Sequence, residues 1–386
     1  YSMTAQCLNN PPTDETLSER PDVPQITRVT PKNSITIKGA VGHNLKNLTV
    51  SLPKNQLVCV TGVSGSGKST LIKQTLFLGY EHENGRSLDQ DGVPYSELIG
   101  LDSFKDVVMV DQSPPARSLR SNPATYMKVY DEIRKVFANS RKAMVYGLKA
   151  SDFSFNTPGG RCEKCEGLGF ITIDMQFMAD VTIVCPECKG KRFKHQVLMV
   201  EIDDPNAYSP NKSTKTKEST KASKKKPTSS KTTEPETTTT APNASSEHPP
   251  KNINDVLNMT VSEAMRFFKN APAIRKRLQP LQDIGLSYLT LGQSTSTLSG
   301  GEAQRLKLAS YIKSDISKNT EPYLFLFDEP TTGLHMSDIN TLIGVFRQLI
   351  KAGHSLIVIE HNIDFIAQCD HILDIGPEGG SDGGDI

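Results

Sequence analysis

Apolar residues fall into three kinds of pattern along the chain. Ile35, Ile37, Leu48, Val50 and Leu52 alternate with polar neighbours at the period of half-buried strands, so regular structure is expected from Ile35 onward. Residues 57–61, 107–110, 323–327 and 356–359 are instead short unbroken apolar runs, which suit strands covered on both faces. Spacing of three to four residues marks the third kind. It predicts one helix opening at Asn122-Pro123 and carrying Tyr126, Val129, Tyr130, Ile133 and Phe137, with an N-cap and proline at the first helical position. It predicts another through Leu342, Ile343, Phe346, Leu349 and Ile350. Thr260 and Glu263 have the spacing of a capping box ahead of Val261, Ala264, Met265 and Phe268. Buried strands alternating with helices predict an α/β fold with a mostly parallel sheet.

Two stretches carry none of these patterns. Residues 1–33 are polar and punctuated by Pro11, Pro12, Pro21, Pro24 and Pro31, and read as a lead-in or linker. Residues 209–250 are dominated by Pro, Ser, Thr and Lys, with eight lysines and one glutamate between Lys212 and Lys231. Such a segment has little apolar surface to offset its ordering entropy, so disorder is expected there. It is either a flexible polycation that touches DNA or a partner, or a tolerated solvated loop.

Composition bounds the rest. With 386 residues there is room for two or three globular units, and 36% hydrophobic and 23% charged residues lie outside the membrane and collagen classes. No apolar run approaches the roughly 18 residues of a membrane span. Neither a basic nor an apolar leader segment opens the chain, so a cytoplasmic location is expected, and the lack of an initiating Met suggests a fragment. Lys and Arg number 44 against 43 Asp and Glu, a net charge of +1, so any polyanion site must be local. Of seven cysteines, Cys7, Cys59 and Cys369 stand alone, as a tail thiol and packed core residues.

The other four are Cys162-x-x-Cys165 and Cys185-x-x-Cys188, separated by nineteen residues and followed by Gly167, Gly169 and Gly190. That is the spacing of a closed tetrathiolate zinc site. Around it Arg161, Lys164, Lys189, Lys191, Arg192 and Lys194 face Glu163, Glu166, Asp174, Asp180 and Glu187. The basic density lies in residues 189–194, where phosphate contacts, with Phe193 near a groove, stand beside the alternative of a solvated basic face.

Gly62-Val-Ser-Gly65-Ser-Gly67-Lys68-Ser69 is a phosphate loop in its expected context, between a buried strand and a helix through Leu71, Ile72 and Leu76. Backbone N–H groups would curl around phosphate oxygens, Lys68 would reach the β- and γ-phosphates, and Ser69 would ligate Mg²⁺. A second element, Leu324-Phe-Leu-Phe-Asp328-Glu329, carries two carboxylates to the C-terminal end of a strand. Asp328 would hold Mg²⁺ through water and Glu329 would polarise the attacking water. Between them, Leu298-Ser299-Gly300-Gly301-Glu302 pairs a capping box with two glycines, which is either a second anion site or a plain helix cap.

The order of these elements, with Gln112 after a strand and His361 after Leu356-Ile-Val-Ile-Glu360, resembles the ABC-type ATPases. The inserted cysteine module narrows the resemblance to the UvrA family, the damage-sensing ATPases of bacterial nucleotide excision repair. Arg120-Ser-Asn-Pro-Ala-Thr-Tyr126, Met175-Gln-Phe177, Cys188-Lys-Gly-Lys-Arg192, Asp328-Glu-Pro-Thr-Thr-Gly-Leu-His335, Glu360-His-Asn362 and Gly376-Pro-Glu-Gly-Gly380 support it, several of them resembling the C-terminal ATPase half.

The resemblance implies a P-loop fold of ABC type with a helical signature region and an inserted zinc module. It implies ATP and Mg²⁺ held by Gly62, Gly65, Gly67, Lys68, Ser69, Thr70 and Asp328, with Gln112 sensing Mg²⁺ and water and His361 contacting the γ-phosphate. Ser299, Gly300 and Gly301 would act on the site of a partner unit, so a second ATPase half, and a dimer, are expected. Further partners it implies are double-stranded DNA, preferably damaged, and a repair helicase subunit in the full-length protein, with no membrane. The activity it implies is that of an ATP hydrolase in the excinuclease system, within the SOS response.

The corresponding divisions are a lead-in (1–33), two parts of the ATP-binding core (34–110 and 320–386), two parts of the signature region (111–160 and 253–319), a zinc module (161–202) and an insert (203–252). The family's first ATPase half is missing, the insert stands where the family has a short turn, and residues 34–50 hold no aromatic to stack a base. An ATPase subunit driving a membrane permease is the alternative, disfavoured by the cysteines, and a zinc-knuckle chaperone leaves the nucleotide motifs without a role.

Overall fold

The computed structural model describes residues 30, 33–86, 92–113, 115, 118–173, 175, 181–203, 249–313 and 321–386. The lead-in except residues 30 and 33, Cys7, Asp174, Gln176, Phe177, Asp180 and the Lys-rich stretch 209–248 lie outside them. Two compact units form. The first comprises described residues up to Val129, Met259–Met265 and Arg275–Ile386, the second Tyr130–Asn258 and Arg266–Ile274.

In chain order the first unit opens with β1 (Ser34–Gly42), β2 (Leu45–Pro53), β3 (Leu57–Thr61), a π-helical stretch (Thr70–Phe77) running into α1 (Leu78–Glu83), β4 (Glu97–Ile99), β5 (Asp106–Val110) and α2 (Pro123–Tyr126). There follow α3 (Tyr130–Ala138), α4 (Arg141–Val145), β6 (Phe170–Ile173), β7 (Val181–Val184), α5 (His195–Leu198), β8 (Glu201–Ile202), β9 (Lys251–Asn252) and α6 (Ile253–Leu257). Then come α7 (Val261–Phe267), α8 (Pro272–Asp283), α9 (Gly300–Lys313), β10 (Tyr323–Asp328), α10 (Met336–Lys351), β11 (Ser355–Ile359), α11 (Ile363–Ile366) and β12 (His371–Asp374).

The unbroken apolar runs form the centre of a five-stranded sheet in the order β12-β3-β11-β10-β5, with every neighbouring pair parallel. All five residues of β11 are buried, as a strand covered on both faces requires. The alternating segments form a separate antiparallel sheet, β2-β1-β4, whose buried positions Ile35, Ile37, Val50 and Leu52 join Leu71, Ile72 and Leu76 in one core cluster. Both capping boxes close as their spacing predicts: Glu263 N–H donates to Thr260 Oγ1 (3.2 Å) and Thr260 N–H to Glu263 Oε2 (2.8 Å). Ser299 and Glu302 repeat the exchange at 2.8 and 3.4 Å.

The single helix expected from Asn122 is two. Asn122 caps α2 through a capping box with Thr125, but Lys128 then adopts φ 54°, which ends that helix before α3 begins at Tyr130. Periodicity missed the break because Val129, Tyr130, Ile133 and Phe137 are all buried. Left-handed backbone at a single exposed lysine leaves no apolar signal.

In the second unit Phe137 and Phe153 meet at 5.5 Å, Tyr130 and Phe155 at 5.0 Å, and the Tyr130 hydroxyl donates to the Phe153 carbonyl (2.6 Å). Strands β8 and β9 pair antiparallel.

His354 is 1% exposed. Its Nδ1 accepts the Tyr323 N–H (3.0 Å), its ring lies against Tyr323 and Phe325, and its Nε2 has no partner among the described residues. Burial pushes its proton affinity below the ordinary imidazole value, as it does for His371. A group with a depressed native pKa contributes stability at neutral pH that is lost as pH falls below its unfolded value of about 6.5. The urea midpoint is therefore expected to hold above that pH and to fall below it, by up to about 1.4 kcal/mol per pH unit for each such histidine. His354→Gln, which keeps an acceptor for Tyr323, should flatten that slope in parallel titrations.

Candidate functional site

The loop after β3 curls back on itself because its glycines allow what other residues would not. Gly62 has φ 134°, and a Cβ there would lie 2.0 Å from the Ile375 carbonyl oxygen; Gly67 has φ 111°, and its Cβ would press into Leu45. Asn44, in the turn between β1 and β2, donates to the Gly65 carbonyl (2.7 Å) and ties that turn to the loop. The resulting cleft has a volume of about 440 Å³, and Gly65, Gly67, Lys68, Ser69 and Thr70 line it together with Glu329. The Ser69 side chain makes no cap hydrogen bond, which leaves its hydroxyl available for a ligand.

Lys68 Nζ donates to the carbonyls of Gly62 (2.9 Å) and Val63 (2.7 Å). Burial lowers its proton affinity, while Glu329, Asp374 and Asp328 raise it. Asp328 ends β10, where burial in the first place, and the Glu329 charge in the second, push its carboxyl above the usual carboxylate range. Glu329 itself has φ 47°, its N–H held by the Ile359 carbonyl at 2.9 Å. His361 Nδ1 stands 3.9 Å from Glu329 Oε1, and Gln112 Nε2 lies 3.5 Å from the Glu329 carbonyl. Loop, paired carboxylates, Gln112 and His361, four separate stretches of sequence, thus converge at the C-terminal ends of β3, β5, β10 and β11.

Ser299, Gly300 and Gly301 are not among the residues lining this cleft. A Cβ on Gly300 would lie 2.9 Å from Gln112 Oε1, and one on Gly301 would lie 2.7 Å from the Thr332 carbonyl oxygen. The paired glycines therefore serve close packing within the chain as well as leaving first-turn N–H groups bare. Deeper in α9, Gln304 Nε2 donates to the carbonyls of Val110 (2.7 Å) and Asp328 (3.1 Å), and Lys307 pairs with Asp111. Gln304 and Lys307 bind the helix to the strand ends that carry Gln112 and Glu329. Sequence reasoning passed over them, and also Glu360, a buried carboxylate beside His361. The only signal was a polar residue inside an otherwise apolar pattern.

In the second unit the four cysteine sulfurs lie within 4.8 Å of one another and all four residues are buried. Cys162 and Cys185 sulfurs are 3.9 Å apart, Cys165 and Cys188 3.6 Å. A tetrahedral ion with bonds of about 2.3 Å demands sulfur separations of about 3.8 Å. Those two separations match such an ion, and four thiols are the donor set it takes. Gly169 N–H donates to Cys165 Sγ (3.2 Å), a contact that supports thiolate character.

The basic residues beside the cluster are partly engaged within the unit. Lys194 pairs with Glu163 (2.5 Å), Arg161 with Glu166 (3.7 Å), and the Arg192 guanidinium lies over the Phe155 ring at 5.6 Å. Phe193, expected near a groove, is 1% exposed and packs edge-on against Phe155. A large apolar ring between basic neighbours goes to the core because burial gains more than solvent exposure.

No family model matches the chain. Over 365 residues, 95% of its length, the sequence is 41% identical to UvrABC system protein A of Clostridium tetani, of which it covers 34%. Over 385 residues, 100% of its length, it is 40% identical to the protein of the same name from Staphylococcus epidermidis, covering 35%. The chain thus spans about a third of the length of the curated relatives it matches. Among solved structures, the crystal structure of UvrA2 from Deinococcus radiodurans matches 96% of this chain and 39% of its own, with 35% identity and a TM-score of 0.71.

Gly301→Ala should lower stability by about 1–3 kcal/mol, because the added methyl meets a backbone carbonyl. Gly300→Ala should cost less, since its methyl meets the Gln112 side chain, at Oε1 (2.9 Å) and Cβ (3.1 Å), rather than a backbone carbonyl. Urea midpoints of the two variants test that order.

Proposed function

We propose that this chain, which belongs to the UvrA family of ABC-type ATPases and corresponds to their C-terminal ATPase half, binds and hydrolyses ATP as part of DNA damage recognition in nucleotide excision repair. The observation that carries the ATPase reading is the convergence of Lys68, Glu329, Gln112 and His361 on one cleft or its rim. Lys68 would exchange its loop carbonyls for β- and γ-phosphate oxygens, with Gly62, Gly65, Gly67 and Thr70 shaping the loop around them. Ser69 and Asp328 would hold Mg²⁺, which supplies charge neutralisation between the phosphates. Glu329 would orient and polarise the attacking water, and His361 and Gln112 would report the γ-phosphate and the metal-bound side. Hydrolysis would be complete only when Ser299, Gly300 and Gly301 of a second ATPase unit cap the triphosphate.

Cys162, Cys165, Cys185 and Cys188 would hold one structural zinc ion. The module around it would touch double-stranded DNA, with a preference for damaged duplex, through phosphate contacts that weaken with salt. In a full-length protein a repair helicase subunit would be a further partner, in the cytoplasm and within the SOS response. Coupling to a membrane permease is the weaker alternative. Among the described residues no helix is long and apolar enough to cross a membrane.

The decisive measurement is ATP turnover by the chain and by Glu329→Gln, with binding to damaged and intact duplex followed across a salt series. The variant is expected to keep nucleotide binding and to lose turnover by at least about a hundredfold, the scale of a positioned general base. Unchanged turnover would remove Glu329 from the mechanism, and equal affinity for both duplexes would remove damage recognition. Elemental analysis should find one zinc per chain, lost on replacing Cys185 and Cys188 by Ser; a metal-free native protein would contradict the zinc assignment.

A further inference from the structure

Glu360 ends the run of β11 and is 1% exposed, yet no cation pairs with it among the described residues. Its charge is met by N–H and O–H donors alone. Oε1 accepts the Thr331 N–H (2.8 Å) and the Thr331 hydroxyl (2.6 Å); Oε2 accepts the N–H groups of His361 (2.9 Å) and Asn362 (3.2 Å). One carboxylate therefore fixes two backbone segments that are remote in sequence. The first follows Glu329 in the chain, the second begins with the imidazole that faces Glu329. Four donors on two oxygens suit a carboxyl group with both oxygens free to accept, whereas an amide offers one acceptor oxygen.

The arrangement reaches further on the Thr331 side. Thr332 places its carbonyl where a side chain on Gly301 would have to go, so the position of residues 331 and 332 sets the seat of the turn at Ser299 to Gly301. On the other side Asn362 caps α11 through its Oδ1 and Phe365 N–H (3.0 Å), so the backbone after His361 is held at both ends.

We infer that Glu360 is a positioning residue for γ-phosphate sensing: it holds His361 in register with Glu329 and locks that register to the segment seated against the glycine turn. This rests on the ATP-binding reading above. Glu360 touches no phosphate itself; its effect passes through the backbone of His361 and Thr331.

The consequence is selective. Loss of the carboxylate should weaken recognition of the third phosphate while leaving the loop that grips the first two intact. Equilibrium binding of ATP and ADP to the chain, read by calorimetry for the wild type, Glu360→Gln, Thr331→Val, His361→Ala and the Glu360→Gln/His361→Ala pair, tests this without requiring turnover. Glu360→Gln is expected to reduce the preference for ATP over ADP by about tenfold, the scale of one lost charge-assisted hydrogen bond, with ADP affinity within about twofold of wild type. Thr331→Val, which removes one donor and keeps the acceptor, should move the same ratio in the same direction by less.

The double variant should equal His361→Ala, because the glutamate acts through the histidine. Equal loss of ATP and ADP affinity in Glu360→Gln would mark a merely structural role and overturn the inference, as would an unchanged ratio in a folded variant. Lys68→Ala reports separately on the underlying reading. If it binds both nucleotides as the wild type does, the ATP site itself is misassigned and this inference falls with it.

Discussion

The amine of Lys68 is the counter-charge on which the edge of the parallel sheet depends. Strands β10 and β12 deliver Asp328 and Asp374 toward it, and the turn after β10 adds Glu329. Several carboxylates at one sheet edge repel one another, and the rise in the Asp328 pKa carries the mark of both burial and that repulsion. A half-buried lysine among them is tolerated because the same carboxylates offset its desolvation, and because two loop carbonyls accept its hydrogen bonds. On the proposed reading, a phosphate chain entering the cleft would compete with those carbonyls and bring its own cation to quiet the acids, so a metal-bound polyphosphate would be favoured over a bare anion.

Much of this was legible in the sequence because the signals were local. A glycine loop between a buried run and a helix, an apolar strand ending in Asp-Glu, two capping boxes and two cysteine pairs each declare themselves within a few residues. What escaped depends on contacts between distant segments. Glu360 reads as a polar residue after a strand until Thr331, 29 positions earlier, is seen donating to it. Gln304 looks like one more polar position on a helix, yet it ties α9 to the ends of two strands. Lys128 broke a periodic helix with a single left-handed backbone, and Phe193 went to the core although its neighbours are basic. In each case a pairwise contact or a backbone angle outweighed the pattern.

The cysteine cluster follows a different logic from the nucleotide cleft. Its four sulfurs lie within 4.8 Å of one another, and the knuckles that present them need left-handed backbone at Gly167, Gly169 and Gly190 but also at Glu166, Lys189 and Arg192. Such strain at non-glycine residues persists only where the surroundings over-determine it. The proposed metal-thiolate centre would supply that determination in a module whose described residues otherwise form a two-stranded ribbon and short turns. The ion pairs at Lys194 and Arg161 lower the share of basic charge left to meet phosphates, so affinity from this module for DNA would be modest and dependent on salt.

The turn at Ser299 to Gly301 is constrained from two sides within the first unit. Its capping box commits the Ser299 N–H and hydroxyl to Glu302, at 2.8 and 2.9 Å. The first-turn N–H groups of Gly300 and Gly301 have no acceptor within the helix. Any anion at this helix end would therefore be met chiefly by those two backbone groups, and the serine could join them only by turning its hydroxyl proton away from Glu302. The same glycines are packed from behind against Gln112, whose amide reaches the Glu329 carbonyl, and against the Thr332 carbonyl. On the proposed reading, a turn presented to a neighbour's triphosphate would be seated against Gln112 and Thr332 of this chain, so occupancy of one cleft would have a short steric route to the turn presented to the other.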